Sequence, residues 1–194
     1  MNVCLADKSD ALQISAIHQK ELGKGFLSSL GVPFLQKFYE AIIGSKYSFC
    51  IVAKEGDVVD GFVSGVVDIG LFYKYFIYKY FFVLIPVFLP KIFSFTAVKK
   101  IIDNIFYPQK IKNLPAAELL TFAVKKEFQR QGVGSWLLKS FVDEMKIRRV
   151  KIFKVLVGKE MDSVKFYEKT GFQKIEEINL HNKESSIIFI CKVI

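Results

Sequence analysis

The chain has 194 residues, 52% of them hydrophobic and 15% aromatic, with 28 basic against 19 acidic residues for a net charge of +9. That length suggests one domain, at most one with an insertion, and is ample for a buried core. The apolar content excludes a disordered chain, three cysteines exclude a disulfide scaffold, and the positive balance favours an anionic partner such as nucleic acid, an acidic membrane surface or a phosphate-rich small molecule.

Residues 1–6 alternate well enough for a first strand. Ser9 and Asp10 offer N-cap oxygens for a helix whose apolar side is Leu12, Ile14, Ile17 and Leu22. A loop with a glycine at each end, Gly25 to Gly31, leads to a second helix. There Pro33 occupies the first turn, and Phe34, Leu35, Phe38, Tyr39, Ile42 and Ile43 repeat at helical spacing. Residues 48–53 read as a strand, Glu55-Gly56-Asp57 as a turn and residues 58–67 as its hairpin partner.

An aromatic segment follows. Residues 71–107 hold 13 of the 29 aromatic residues, five lysines and one acid, Asp103. The periodicity is helical, with a break near Pro86 and Pro90, and predicts two helices. The longest uncharged run, residues 80–90, is 11 residues, against about 20 for a membrane-spanning helix. The first six residues carry no charge and precede Asp7 and Lys8 directly, so no secretory signal is expected and a cytoplasmic location is the default.

Residues 117–124 read as a buried strand, about 132–147 as a helix with Val133, Trp136, Leu137, Phe141 and Met145 on one side, and 150–157 as a strand. Asp162 is placed to cap a short helix ending at Gly171, and residues 172–180 and 185–193 finish as a hairpin. Cys4, Cys50 and Cys191 lie far apart, and with His18 and His181 the only histidines no metal-ligand spacing appears. His18 reads as a polar core or surface histidine and His181 as a solvated turn residue. The basic clusters, such as Lys125-Lys126, read as solvated helix or strand edges.

The turn between the buried strand and the next helix carries the chemistry. Val124 ends the strand, and Gln129-Arg130-Gln131-Gly132-Val133-Gly134 opens the helix. Glycines at a helix start let a ligand approach the backbone, and the free N–H groups and positive dipole end favour phosphate. Leu137 stands where a dinucleotide fingerprint needs glycine, and no Gly-Lys-Ser/Thr follows, so neither a Rossmann nor a Walker loop is present.

This strand-turn-helix resembles the acetyl-CoA site of the GNAT superfamily of N-acetyltransferases: a strand ending in valine, about four residues, then Gln/Arg-x-x-Gly-x-Gly/Ala. Phe166-Tyr167-Glu168-Lys169-Thr170-Gly171-Phe172 resembles a second family segment in the correct order. The resemblance implies an α+β fold with a mixed, mostly antiparallel sheet of six to seven strands flanked by helices. It makes residues 1–194 one domain, with a helical insertion over about 69–115 between the hairpin and the cofactor strand.

It further implies acetyl-CoA as the acyl donor, with Gln129, Arg130, Gln131, Gly132, Val133 and Gly134 around the pyrophosphate. Backbone groups near Ala123 and Val124 would then meet the pantetheine and thioester, and Tyr167 would protonate the departing sulfur. Glu118 is a candidate general base: six residues before Val124 on one strand, both side chains are expected on one face. Glu160 and Ser163 depart from the asparagine and alanine that are common in the family. No metal is expected.

The function expected is acetyl transfer to a primary amine of a small acceptor by direct attack. The segment around Gly25–Gly31 resembles a GNAT subgroup associated with surface sugars, which points to an amino sugar. A protein or peptide amine is the first alternative, and a non-catalytic CoA-binding or peripheral interaction protein the second. No nucleic-acid motif is present. The aromatic insertion reads as extra core, as an acceptor lid, or as a contact with a membrane surface or a second subunit.

Overall fold

A computed structural model describes residues 1–23, 25, 27–92, 114–159, 163–180 and 184–193. The elements in chain order are β1 (Asn2–Leu5), α1 (Ala11–Glu21), α2 (Val32–Gly44), β2 (Ser48–Glu55), β3 (Val58–Val66), α3 (Ile69–Ile92) and β4 (Glu118–Val124). α4 (Val133–Ile147), β5 (Ile152–Gly158), α5 (Ser163–Lys169), β6 (Gln173–Leu180) and β7 (Glu184–Lys192) complete them. The seven strands form one sheet in the order β1-β2-β3-β4-β5-β7-β6. All neighbours are antiparallel except β4 and β5.

Alternation along the strands gives each face of the sheet its own core. On one face α4 and α5 contribute Leu137, Phe141, Met145 and Tyr167 against Phe49, Val63, Leu119, Phe153 and Phe189. On the other, α1, α2 and α3 contribute Ile14, Phe34, Phe38, Tyr39, Phe72 and Phe76 against Val52, Phe62 and Ala123. The first part of the aromatic segment therefore becomes core. Phe76 meets Phe34 and Phe38 edge-on, with ring centroids 6.0 and 5.4 Å apart, a favourable aromatic geometry.

The central strands hold one irregularity. Gly65 pairs with Leu119 and Ser64 with Thr121, which leaves Leu120 as an extra residue in β4. Such a bulge breaks the two-residue alternation. Leu119 and Phe122 accordingly pack toward α4 and α5, whereas Leu120 and Thr121, although adjacent, both face α1 and α2. Gly65 belongs to the same device, since an added Cβ would sit 2.4 Å from the Phe141 ring and 3.1 Å from the Glu118 carbonyl oxygen.

Several local expectations are corrected. Asp7, not Ser9 or Asp10, caps the first helical turn, accepting from the Ser9 amide at 2.8 Å in a reciprocal box with Asp10. Leu12 and Trp136, expected on core faces, are each 54% exposed; Ala11 and Ser15 on α1 and Leu138 on α4 are buried instead, while Val133 is buried as expected. The backbone break in the aromatic segment falls at Tyr80 (φ −110°, ψ 15°), and helix continues through Pro86 and Pro90 to Ile92. The second predicted helix of the insertion, Glu160 and His181 lie outside the described residues.

Packing at the bulge makes a prediction. Gly65→Ala overpacks the Phe141 contact and costs about 1–3 kcal/mol, lowering Tm by about 2–4 °C per kcal/mol. An alanine at Gly134 meets only ordinary contacts of 3.7 Å and longer, so Gly134→Ala is the control that keeps stability. Thermal unfolding followed by circular dichroism checks both, and a Gly65→Ala protein that melts with the wild type contradicts the packing.

Candidate active site

The turn after β4 is braced by its own side chains. Gln129 Nε2 donates to the Val124 carbonyl at 2.8 Å, and Gln131 Nε2 to the Glu127 carbonyl at 2.7 Å. Lys125 anchors the start of the turn to β3: its amide donates to the Asp60 carbonyl at 2.9 Å and its Nζ lies 2.8 Å from Asp60 Oδ1. The glutamines thus shape the loop from within. Arg130 (φ 59°) and Gly132 (φ 86°) both take left-handed backbone conformations, and Gly132 suits such a position because it lacks a Cβ.

α4 starts without a side-chain cap. Its first-turn N–H groups, which have no acceptor within the helix, are therefore left without a side-chain cap at the positive end of the helix dipole. Val133 is buried and fixes the first turn to the core. Gly134 lies beside the rings of Phe122 and Phe166. A Cβ added at Gly132 would meet nothing within 4 Å, so a ligand has open access to the backbone there. Uncapped N–H donors, a cationic side chain at Arg130 and open approach make an anion site suited to a pyrophosphate.

Beside this turn the sheet opens. β4 pairs with β5 at two positions only, Glu118↔Lys154 and Leu119↔Val155. Beyond them, Thr121, Phe122, Ala123 and Val124 keep their partners on β3 and have none on β5. An unpaired strand edge that leads to an anion-binding turn suits an extended amide-containing arm followed by a phosphate group. Tyr167 stands on α5, on the sheet face of Phe122 and Val124, 4% exposed, its ring packed against Phe172 and Phe189. Burial pushes its phenol well above the ordinary range, so the hydroxyl keeps its proton at neutral pH.

Glu118 does not share a face with Val124. The extra residue Leu120 reverses the alternation between them, and Glu118 points toward the α1–α2–α3 side. It is buried against Lys154, whose Nζ lies 3.2 Å from Oε2 and also donates to the Pro115 carbonyl. Oε2 has no well-angled hydrogen bond among the described residues. Burial raises the Glu118 carboxyl above its ordinary value, while Lys154 pulls it back. Tyr73 of α3 lies close enough for Glu118 to help raise its phenol, after burial.

A second polar group on that face was not evident from spacing. Ser64 Oγ lies 2.6 Å from Thr121 Oγ1, Thr121 Oγ1 lies 3.0 Å from Tyr39 Oη, and Tyr39 Oη lies 2.6 Å from His18 Nδ1. All four residues are buried. Burial alone lowers His18 to about 4, so its imidazole is neutral at physiological pH. Among the described residues no group of three potential metal ligands occurs, and no helix is long and apolar enough to cross a membrane.

Residues 109–185 match the family model described as an acetyltransferase (GNAT) domain. The ribosomal-protein-S18-alanine N-acetyltransferase of Escherichia coli superposes over 99% of this chain and 93% of its own, with TM-score 0.62 and 15% identity. The ribosomal-protein-alanine N-acetyltransferase of Brucella melitensis superposes over 99% of both chains, with TM-score 0.65 and 12% identity. An aminoglycoside 6'-N-acetyltransferase complexed with coenzyme A covers 100% of this chain and 98% of its own, at TM-score 0.62 and 12% identity. None of the curated proteins matches the chain. At these identities the likeness to solved structures is one of fold. That fold is the GNAT fold, and the acetyltransferase (GNAT) domain match over residues 109–185 agrees with it.

The buried ion pair can be tested apart from activity. Lys154→Met leaves the Glu118 carboxylate buried without its partner and costs about 3–5 kcal/mol, whereas the double variant Lys154→Met/Glu118→Leu recovers most of that loss. Urea unfolding of the two variants checks this. Equal destabilisation in both would show that the loss comes from packing rather than from the unpaired charge.

Proposed function

We propose that the protein transfers an acetyl group from acetyl-CoA to a primary amine by direct attack, within one domain whose segment over about 69–115 is an insertion. The observation that carries this reading is the juxtaposition of the uncapped, open turn at Gln129–Gly134 with the β4 edge that has no β5 partner. Arg130 and the first-turn amides of Gly132, Val133 and Gly134 would hold the pyrophosphate, while Gln129 and Gln131 keep the turn in shape. Backbone groups at Ala123 and Val124 would hold the pantetheine arm. Bound there, acetyl-CoA supplies an activated acyl group, and a backbone N–H on the β4 edge would polarise its carbonyl oxygen.

Tyr167 is the proposed proton donor to the departing sulfur. A thiol has a pKa of about 8.5, so its thiolate departs with little help, and the buried Tyr167 phenol, which keeps its proton, would hydrogen-bond the sulfur as charge develops on it. Glu118 is the proposed base that takes the proton lost by the acceptor's ammonium group. Its position on the α1–α2–α3 side, at the closed end of the strand opening, supports that role. Lys154 favours the ionised carboxylate that a base must be.

For the acceptor we favour an amino sugar. The aromatic helix α3 is joined to the entry of β4, the Ile69 amide donating to the Ala116 carbonyl at 3.0 Å, and sugar faces suit aromatic surfaces with polar tips. A protein or peptide amine is the second reading, favoured by the ribosomal-protein alanine named as the acceptor of the E. coli and Brucella proteins of the same fold. A cytoplasmic location fits a donor made and used inside cells.

Free thiol release from acetyl-CoA, followed across amino sugars, nucleotide-linked amino sugars, polyamines and peptides, tests the reading. Turnover with one acceptor class is expected, and Tyr167→Phe should lower kcat by about 10²-fold with little change in KM. Cofactor binding without turnover in any class would instead support a non-catalytic CoA-binding protein.

The pH profile tests Glu118. A base acts only when ionised, so kcat/KM should rise with pH, with its midpoint above the ordinary glutamate value of about 4.3, because burial raises this carboxyl. In a folded Lys154→Met protein the rise moves to higher pH, because the charge that favours the carboxylate is gone. A limb that stays in place in that variant, or that persists in Glu118→Gln, removes Glu118 from the role of base.

A further inference from the structure

The chain of His18, Tyr39, Thr121 and Ser64 joins four elements through three contacts. It runs from α1 through α2 to β4 and β3, and no residue in it is more than 8% exposed. Buried hydroxyls destabilise a core unless they are paired, and apolar side chains of similar shape would fill the same space without that penalty. Here every contact is made. A neutral imidazole and three hydroxyls supply enough hydrogens for all three contacts in one direction, Ser64 to Thr121 to Tyr39 to His18 Nδ1. Burial keeps the imidazole neutral, which leaves Nδ1 able to accept the last of these hydrogens.

Its place in the sheet gives the chain a task. Ser64 and Thr121 are register partners immediately beyond Leu120, where β4 has just lost β5 as a neighbour. On the opposite face the Phe141 ring packs against Gly65, at the neighbouring step Gly65↔Leu119 just across the bulge. The bulge is therefore fixed from both faces: by apolar contact on the α4 side and by directed hydrogen bonds on the α1–α2 side. Apolar contact sets a distance, whereas hydrogen bonds also set the orientation of the peptide groups on either side of Thr121.

We propose that His18, Tyr39, Thr121 and Ser64 are positioning residues for acetyl transfer, acting through Thr121 to hold the unpaired β4 edge at the angle that aligns the thioester for attack. This rests on the transferase reading above. None of the four touches the reacting atoms. A displaced reactive group can cost about 10²-fold in rate, so the chain should act on kcat rather than on affinity.

The test uses Tyr39→Phe, Thr121→Val and Thr121→Ser in the full chain, assayed well below the melting temperature of each. Tyr39→Phe and Thr121→Val should lower kcat by about 10- to 100-fold, with KM for acetyl-CoA and for the amine within about twofold of wild type. Thr121→Ser keeps the hydroxyl and should recover most of kcat. Amide exchange of residues 119–124 is read in the same proteins without substrates, and should be at least about tenfold faster in Thr121→Val than in wild type or Thr121→Ser.

Folded variants with wild-type kcat, a Thr121→Ser protein as impaired as Thr121→Val, or a loss confined to KM would each overturn the proposal. A wild type that turns over no amine refutes the transferase reading on its own. The exchange rates then decide whether the chain holds the strand, and unchanged rates overturn that too.

Discussion

One extra residue in β4, Leu120, sets the geometry of everything beside it. Because Leu119 pairs with Gly65 and Thr121 with Ser64, the strand changes the parity of its side chains in mid-course. Glu118 is sent to the α1–α2–α3 face, while Val124 stays on the α4–α5 face. Just before the bulge β4 makes its last pairing with β5, and just after it one edge of the strand is left without a neighbour. A regular ladder would have continued to pair and closed the sheet. The opening, the turn that follows it and the polar cluster at its closed end all follow from that change.

Different forces hold the two ends of the opening. At its outer end the turn is shaped by local hydrogen bonds from Gln129 and Gln131 and by left-handed backbone at Arg130 and Gly132. At its closed end, Glu118 and Lys154 form an ion pair buried between the sheet and the helical layer. Such a pair contributes little net stability, because desolvation opposes the Coulombic attraction. Its physical effect is on protonation: it favours the carboxylate at a site where burial opposes ionisation. Structure and chemistry meet there, since the same lysine is the register partner of the glutamate across the parallel β4–β5 pairing.

Much of this was legible in the sequence because it depends on neighbours along the chain. The order of elements, the strand ending at Val124, the glycines of the turn and the helix ending at Gly171 all carry local signals, and the seven-stranded mixed sheet agrees with them. What was not legible depends on partners far away. Six residues from Glu118 to Val124 look like an even number of alternations, and only the pairing with Ser64 and Gly65 reveals the extra one. His18 looks like an isolated histidine until Tyr39, 21 residues later, is packed against it. Leu12 and Trp136 have core-like side chains at helical spacing, yet the rotation of each helix against the sheet turns them outward. Lys154 is the case where a sequence signal existed: a lysine within the apolar run Ile152 to Val157 needs a buried partner, and Glu118 is that partner.

The most direct test is amide hydrogen exchange of the folded chain with and without saturating acetyl-CoA. Binding along the β4 edge and at the start of α4 predicts slowed exchange at residues 121–124 and 130–135, with β1, β2 and α1 unchanged. Unchanged exchange at both segments, or protection confined to other parts of the sheet, would contradict an opening built to hold the acetyl donor.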